Sequence, residues 1–590
     1  MSTETAGWRI SNFREAYAAG VSVADVIEHV LEALSAAPRG VLIGEPLRDR
    51  ARRDVAALTA ATSLDRPLYG VPFLVKDNID VEGSVTSAGC PGYGVVAPED
   101  ATVVARLRAA GAIVCGRANM DQFATGLVGT RSPYGVPPNV IDPALAPGGS
   151  SSGSAIAVAL GLVPFSLGTD TAGSGRVPAA LNGIVGFKPT VGSVSMAGIV
   201  PAVRRFDCPS VFAHDVLDAV TVVDVLRGGD DRDQYSRELP PSRPMRTRPI
   251  VGVPIRWPKS LGTSDAVAEW FDRCRSRLCE LDVEVREVDI EPLLQVGALL
   301  YGSAIVAERT AAVGDVVAAG IEGLDPIVAT IIGAGAGPSA VDAYRAEYEL
   351  ARLRRIAERV WDEVDVLALP TTPDVATIEA IASEPFRENE KLGRLTSFVN
   401  LIDAMAVVVP LRETTGVEPF GLQLVAPGGQ DREVARLAGA FEAGVLQVAA
   451  QECTVVVVGA HLRDMPLNHQ LVERRATYLG PGRTCADYRL YALADAVPPK
   501  PGLVRVACGT GAPIDVELWS MGLAEFGSFV RSIPAPLGIG SIELIDGRVH
   551  CGFLCEAIAT EGATDITDYG GWRTYQAARS MPPLARSAIS

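Results

Sequence analysis

The segment from Pro147 to Thr190, PGGSSSGSAIAVALGLVPFSLGTDTAGSGRVPAALNGIVGFKPT, constrains the fold of this chain more than any other. It contains two Gly/Ser turns, each followed by small residues. A flexible linker would be polar on both sides of such turns. Here apolar VPFSL precedes the second turn and apolar segments follow it, so both turns belong inside a packed layer. Gly-rich turns let backbone N–H groups converge on an anionic centre without side-chain obstruction, as an oxyanion hole requires. A phosphate loop is the competing explanation. Gly148 and Gly153 have its G-x-x-x-x-G spacing, but Ser154 stands where that loop needs Lys.

Around this segment, β-branched runs such as Val71 to Val75 and Ile113 to Cys115 alternate with Ala-rich stretches such as Ala101 to Ala110. That alternation predicts an α/β layer structure. Ile10 to Leu34 has helical apolar spacing interrupted at Gly20 and predicts two short amphipathic helices. Gly228 to Arg246, polar, charged and Pro-containing, predicts an exposed excursion. With 590 residues the chain exceeds the size of one core, so a second domain is expected. Near Gln451 the helical run Asp431 to Ala450 gives way to strand-like TVVVVGA, which predicts domains at 1–451 and 452–590.

The net charge of −17 would repel a phosphate backbone and an anionic membrane surface, which argues against nucleic acid and membrane as partners. The N-terminal MSTETAGWRISNFREAY lacks the pattern of a secretion signal, and no apolar run approaches the ~18 residues of a membrane span. A cytoplasmic location is expected. The ten cysteines include no CxxC pair and read as reduced thiols. His550 beside Cys551 has no second ligand pair, so no metal is expected.

GGSS followed by GTDTAGS resembles the amidase signature, with Ser150 and Ser174 at the family's spacing of 24 residues. GVPFLVKDNID supplies Lys76 in the matching upstream context, and LALPTTP (Leu367 to Pro373) and PFGLQLVAP (Pro419 to Pro427) are later matches. The resemblance spans roughly Leu68 to Pro427 and implies a central mixed sheet flanked by helices. It also implies Ser174 as nucleophile, Ser150 as bridging serine and Lys76 as base. The chemistry is consistent on its own terms. A serine hydroxyl must lose its proton as it attacks. A lysine buried among VPFLV would favour its neutral form and could accept that proton, relayed by Ser150. The N–H groups of Thr171, Ala172, Gly173 and Ser174 would face the oxyanion. Competing explanations are pairing of Lys76 with Asp77 and helix capping by the two serines. Asp170 and Arg176 could form an ion pair that holds the turn.

GALLYGSAIVAERTAAV (Gly297 to Val313) resembles the segment of allophanate hydrolases in which a tyrosine and an arginine hold the substrate carboxylate, matching Tyr301 and Arg309. On one helix these would lie about two turns apart and share a face. Arg suits a small carboxylate because its fork donates two parallel hydrogen bonds. The same resemblance assigns Gly126, in MDQFATGLVGT, a backbone contact to substrate. VVVVGAHLRDMPLNHQL and GSIELIDGRVHCGFLCE look like the C-terminal module of allophanate hydrolases, a smaller cyclotransferase-like α+β/β-barrel domain. His461, Asn468 and His469 lie in its opening loop and match no catalytic residue securely. The resemblance implies hydrolysis of allophanate (urea-1-carboxylate) to ammonia and carbon dioxide without a cofactor. It also implies a homodimer and a functional association with a urea carboxylase or a cyanuric-acid or biuret pathway enzyme. The alternatives are an amidase for another small amide or ureido acid, and an amidotransferase subunit.

Overall fold

The β-branched runs become strands of one mixed sheet because helices cover both of its faces, leaving central strands apolar on both sides. The computed structural model describes residues 7–60, 66–239, 245–246, 248–412, 418–443, 452–474, 476–493 and 498–580. The chain divides into two compact units, Met1–Leu446 and Gln447–Ser590. The expected boundary at Gln451, and the stretch 444–450 of the predicted helical run, lie outside the described residues.

In the first unit the strands of the large sheet are β1 (Pro72–Lys76), β2 (Ile113–Ala118), β3 (Phe165–Asp170), β4 (Val185–Lys188), β5 (Cys208–Ala213), β6 (Ile250–Pro254), β7 (Glu284–Val288), β8 (Val366–Pro370), β9 (Ala404–Val409) and β10 (Leu422–Pro427). Their order is β2-β1-β3-β5-β4-β9-β10-β8-β6-β7. β1 runs parallel to both β2 and β3, whereas β3 and β5 are antiparallel. Every residue of β1, β2 and β3 is buried, and Phe73 stacks on Phe165 with ring centroids 5.3 Å apart. This register brings the carboxyl end of β1, which carries Lys76, beside the carboxyl end of β3, which leads into the second Gly/Ser turn.

The two opening helices are α1 (Ile10–Ala18) and α2 (Val23–Ser35), separated around Gly20 as expected, and α2 is capped by the Ser22 hydroxyl. The described part of the excursion is mostly exposed but tied down. Asp230 accepts from the Ser195 hydroxyl at 2.7 Å, and Asp233 accepts from the Met196 amide at 2.8 Å. Residues 240–244 of that excursion lie outside the described residues.

In the second unit, β11 (Glu452–Val457), β12 (Thr477–Arg483), β15 (Asp515–Gly522), β16 (Leu537–Glu543) and β17 (Val549–Cys555) form a sheet of order β12-β15-β11-β17-β16. Two further strands, β13 (Tyr488–Ala492) and β14 (Pro501–Arg505), pair antiparallel beside it. The edges β12 and β16 meet. Cys485 N–H donates to Glu543 O at 2.9 Å and Ile545 N–H to Arg483 O at 3.0 Å, around a bridge between Thr484 and Leu544. The sheet thereby closes into a barrel, which removes exposed edges. Among the described residues of the whole chain, no single helix is long and apolar enough to cross a membrane.

Candidate active site

Lys76 ends β1 with no exposed surface, and its Nζ donates to Ser150 Oγ at 2.7 Å and to Thr169 Oγ1 at 2.9 Å. It does not pair with Asp77, whose carboxylate is taken by Arg117 Nε at 2.6 Å. Burial disfavours the ammonium and pulls the Lys76 pKa down to about 7, against the opposing charges of Asp121, Asp170 and Asp207 and with help from Arg309. Close to neutral pH the amine is therefore available as a proton acceptor. Thr169 was not anticipated from the sequence, although it stands within the GTDT motif itself.

The peptide joining Gly149 to Ser150 is cis. Helix α3 (Ser152–Ala159) begins two residues later with Ser151 at its N-cap, so the Ser150 hydroxyl is not a cap. Ser174 sits in the turn between β3 and helix α4 (Val177–Leu181), whose N-cap is Arg176. The Ser174 side chain is 3% exposed, and its hydroxyl forms no hydrogen bond among the described residues.

The turn around Ser174 is held by the expected ion pair. Arg176 Nη2 and Nε donate to the two Asp170 oxygens at 2.8 and 2.9 Å, and both side chains are fully buried. Burial raises the Asp170 carboxyl, but the Arg176 charge and hydrogen bonds outweigh it and leave its pKa below the ordinary value. Arg176 also donates to Gln423 Oε1 at 2.6 Å and Asn400 Oδ1 at 3.1 Å, linking the turn to the strands and helices behind it. This arrangement corrects the expected oxyanion hole. The Gly173 N–H donates to Asp170 Oδ1 at 3.0 Å, so it is already engaged. The amides of Thr171, Ala172 and Ser174 donate to no acceptor among the described residues. Asp170 needs several donors to remain ionised in a dry setting, and the Gly173 and Gly175 amides of its own turn, both at 3.0 Å, are among them.

A second correction concerns Tyr301 and Arg309, which do not share one helix. Tyr301 lies on α5 (Glu291–Gly302) and Arg309 on α6 (Ala307–Ala318), and the chain bends by 49° where they meet. Ser303 marks the break by accepting from the Ile305 amide at 3.3 Å. The two side chains nevertheless converge. Arg309 Nη2 donates to the Tyr301 hydroxyl at 3.1 Å, and Arg309 Nη1 to Thr125 Oγ1 at 3.0 Å, next to Gly126. Arg309 is 1% exposed, and among the described residues it has no carboxylate within ion-pair distance and its Nε has no partner. The neighbouring Glu308 pairs instead with Arg205. A buried guanidinium without an anion is costly, and a ligand carboxylate would offset that cost. A cavity of about 730 Å³, lined in part by Leu127, Tyr301, Asn389 and Ser397, reaches this corner but not Ser174 itself.

In the second unit, His461 stacks on Phe553 with centroids 4.9 Å apart and faces Gln470 Oε1 at 3.1 Å. Asn468 Nδ2 donates to the His461 carbonyl at 2.9 Å, whereas His469 is exposed. Among the described residues no group of three His, Cys, Asp or Glu side chains could hold a metal ion.

Residues 25–435 match the amidase family. The chain belongs to the amidase family. In this amidase residues 453–577 further match the allophanate hydrolase C-terminal domain. The structure of Kluyveromyces lactis allophanate hydrolase is similar to the amidase over 97% of this chain and 100% of that one, with 36% identity and a TM-score of 0.73. Urea amidolyase of Lachancea kluyveri is 41% identical over 544 residues, 86% of this chain, and the chain spans 30% of that relative's length. Urea amidolyase of Saccharomyces cerevisiae is 40% identical over 543 residues, again 86% of this chain and 30% of the relative.

Proposed function

We propose that this amidase hydrolyses allophanate. The observation that carries the reading is the buried Arg309, without an acidic partner among the described residues, joined to Tyr301 and Thr125 beside Gly126. That corner suits a small acid whose carboxylate it can hold in two parallel hydrogen bonds. The likeness to K. lactis allophanate hydrolase over both units supports the same substrate.

Ser174 Oγ attacks the terminal carboxamide carbon while its proton passes through Ser150 to neutral Lys76. The free N–H groups of the Thr171–Ala172 turn and Ser174 receive the oxyanion. Ammonia leaves with the returned proton. Water then releases the acyl group as N-carboxycarbamate, which loses carbon dioxide to give carbamate, and carbamate breaks down to ammonia and a second carbon dioxide. The great length of the urea amidolyase relatives beyond the matched region supports a place for this amidase beside a urea carboxylase that supplies its substrate. Homodimer formation and a cytoplasmic location belong to the same reading.

The test is ammonia release from allophanate, malonamate, biuret and propionamide. Turnover is expected to favour allophanate, with malonamate next because it keeps a carboxylate beside a primary amide. Equal or faster turnover of propionamide would remove allophanate as the substrate.

The state of Lys76 predicts the pH dependence. The base must be neutral, and its pKa lies at about 7. Activity is therefore fully present above that value and lost as pH falls through it, by about tenfold per pH unit. A profile of kcat/KM from pH 5 to 9 checks this, and a flat acid side would exclude Lys76 as the base.

A further inference from the structure

Asp121 lies in the MDQFATG segment that contributes Gly126, has no exposed surface, and is bonded entirely to main chain. Its Oδ2 accepts from Gly129 N–H at 3.0 Å and its Oδ1 from Arg131 N–H at 2.9 Å, while its own N–H donates to the Ser150 carbonyl at 3.0 Å. One residue thus joins the bridging serine to the loop that carries Gly126 and follows Thr125, the partner of Arg309. The fit is close on both sides. A Cβ on Gly126 would come within 2.7 Å of Asp121 Oδ2, and one on Gly149 would overlap it. Gly126 also holds φ at 150°, a region that favours glycine.

The charges around this junction are unevenly matched. Of the carboxylates that favour the charged form of Lys76, Asp121 acts most strongly, ahead of Asp170 and Asp207, while Arg309 acts in the opposite sense. Asp170 is compensated by Arg176 in direct contact and by Lys188, and Asp207 accepts from the Thr171 hydroxyl at 2.5 Å. Among the described residues Asp121 has no such ion pair. Arg131 is buried nearby, but its guanidinium donates to the carbonyls of Thr125 and Pro385, both at 3.0 Å, so its charge reaches Asp121 through space. Burial pushes the Asp121 carboxyl up, and Arg131 and the two amides oppose that.

We propose that Asp121 is a positioning residue for the amidase chemistry, fastening Ser150 to the substrate loop and using its negative charge to keep the proton on Lys76. The inference rests on Lys76 being the base. An aspartate at this place does two things at once. It keeps the relay serine and the substrate corner in one rigid piece, and it sets the lowest pH at which the base is free.

The test compares pH profiles of kcat/KM for the full-length enzyme and two variants. Asp121→Asn removes the charge, so Lys76 loses its proton more easily and the acid limb is expected to move down by about one pH unit. Arg131→Gln removes the cation that holds the Asp121 carboxyl down, so Asp121 takes a proton more readily and the limb is expected to move down as well. A purely structural role would lower the whole profile without moving the limb, and limbs unmoved in both variants overturn the proposal. If Asp121→Asn does not fold, Arg131→Gln decides alone, a downward shift supporting the proposal and an unmoved limb overturning it. A wild-type profile flat through pH 7 would instead remove Lys76 as the base, a failure distinct from that of Asp121.

Discussion

Ser174→Ala is expected to abolish ammonia release from allophanate, with a loss on the order of 10⁴-fold or more in kcat. The size follows from chemistry that has no substitute in the turn. Without the hydroxyl no acyl-enzyme forms, and the remaining amides and the Arg309 corner can only bind. Alanine should fold in its place, because the Ser174 hydroxyl supports no hydrogen bond among the described residues and the turn is held by Asp170 and Arg176. Steady-state ammonia release, with circular dichroism to compare folding, measures the effect. A loss of less than about tenfold would remove Ser174 as nucleophile.

Arg309→Ala is expected to lower kcat/KM for allophanate by roughly 10²-fold, about 3 kcal/mol, the worth of a charge-assisted pair with the substrate carboxylate. Propionamide, which has no carboxylate, should lose far less. The Arg309 charge also helps Lys76 lose its proton. Removing it raises the Lys76 pKa and slows every substrate near neutral pH. Comparing the two substrates at about pH 9, where the base is free in either protein, isolates carboxylate binding. Equal losses on both substrates at that pH would show that Arg309 supports the fold or the base and does not bind a carboxylate. Arg309→Lys should recover only part of the loss, since an ammonium cannot reproduce the planar fork.

The parts of the site legible in the sequence are those whose chemistry is local. Ser150 and Ser174 stand in turns that few sequences other than Gly/Ser ones could form, and Lys76 follows an apolar run that only a buried strand explains. Thr169 and Asp121 are not legible in this way, although one lies in GTDTAGS and the other in MDQFATG. Their roles depend on which atoms meet across 93 residues, in the contact of Lys76 with Thr169, or across the packing of Asp121 against Ser150. The helix break before Arg309 is hidden for a related reason. Apolar residues at helical spacing continue through SAIV, so periodicity reads one helix where Gly302 and Ser303 allow a bend. In the second unit the strands are readable, but closure at Thr484 and Leu544 is not, because pairing between edges leaves no pattern within either strand.

The amino-acid sequence by itself determined the kind of chemistry: a serine in a Gly-rich turn, a second serine 24 residues earlier, a lysine after an apolar strand, and an appended second unit. Order, spacing and residue type are properties of the chain, and they were sufficient for that. The tertiary structure decided the rest. It put Lys76 at 2.7 Å from Ser150 and left Arg309 buried without an acidic partner among the described residues. It also spent the Gly173 amide on Asp170. Protonation and hydrogen-bond availability depend on what surrounds a group in three dimensions, since burial and neighbouring charge set both, and those neighbours come from remote parts of the chain.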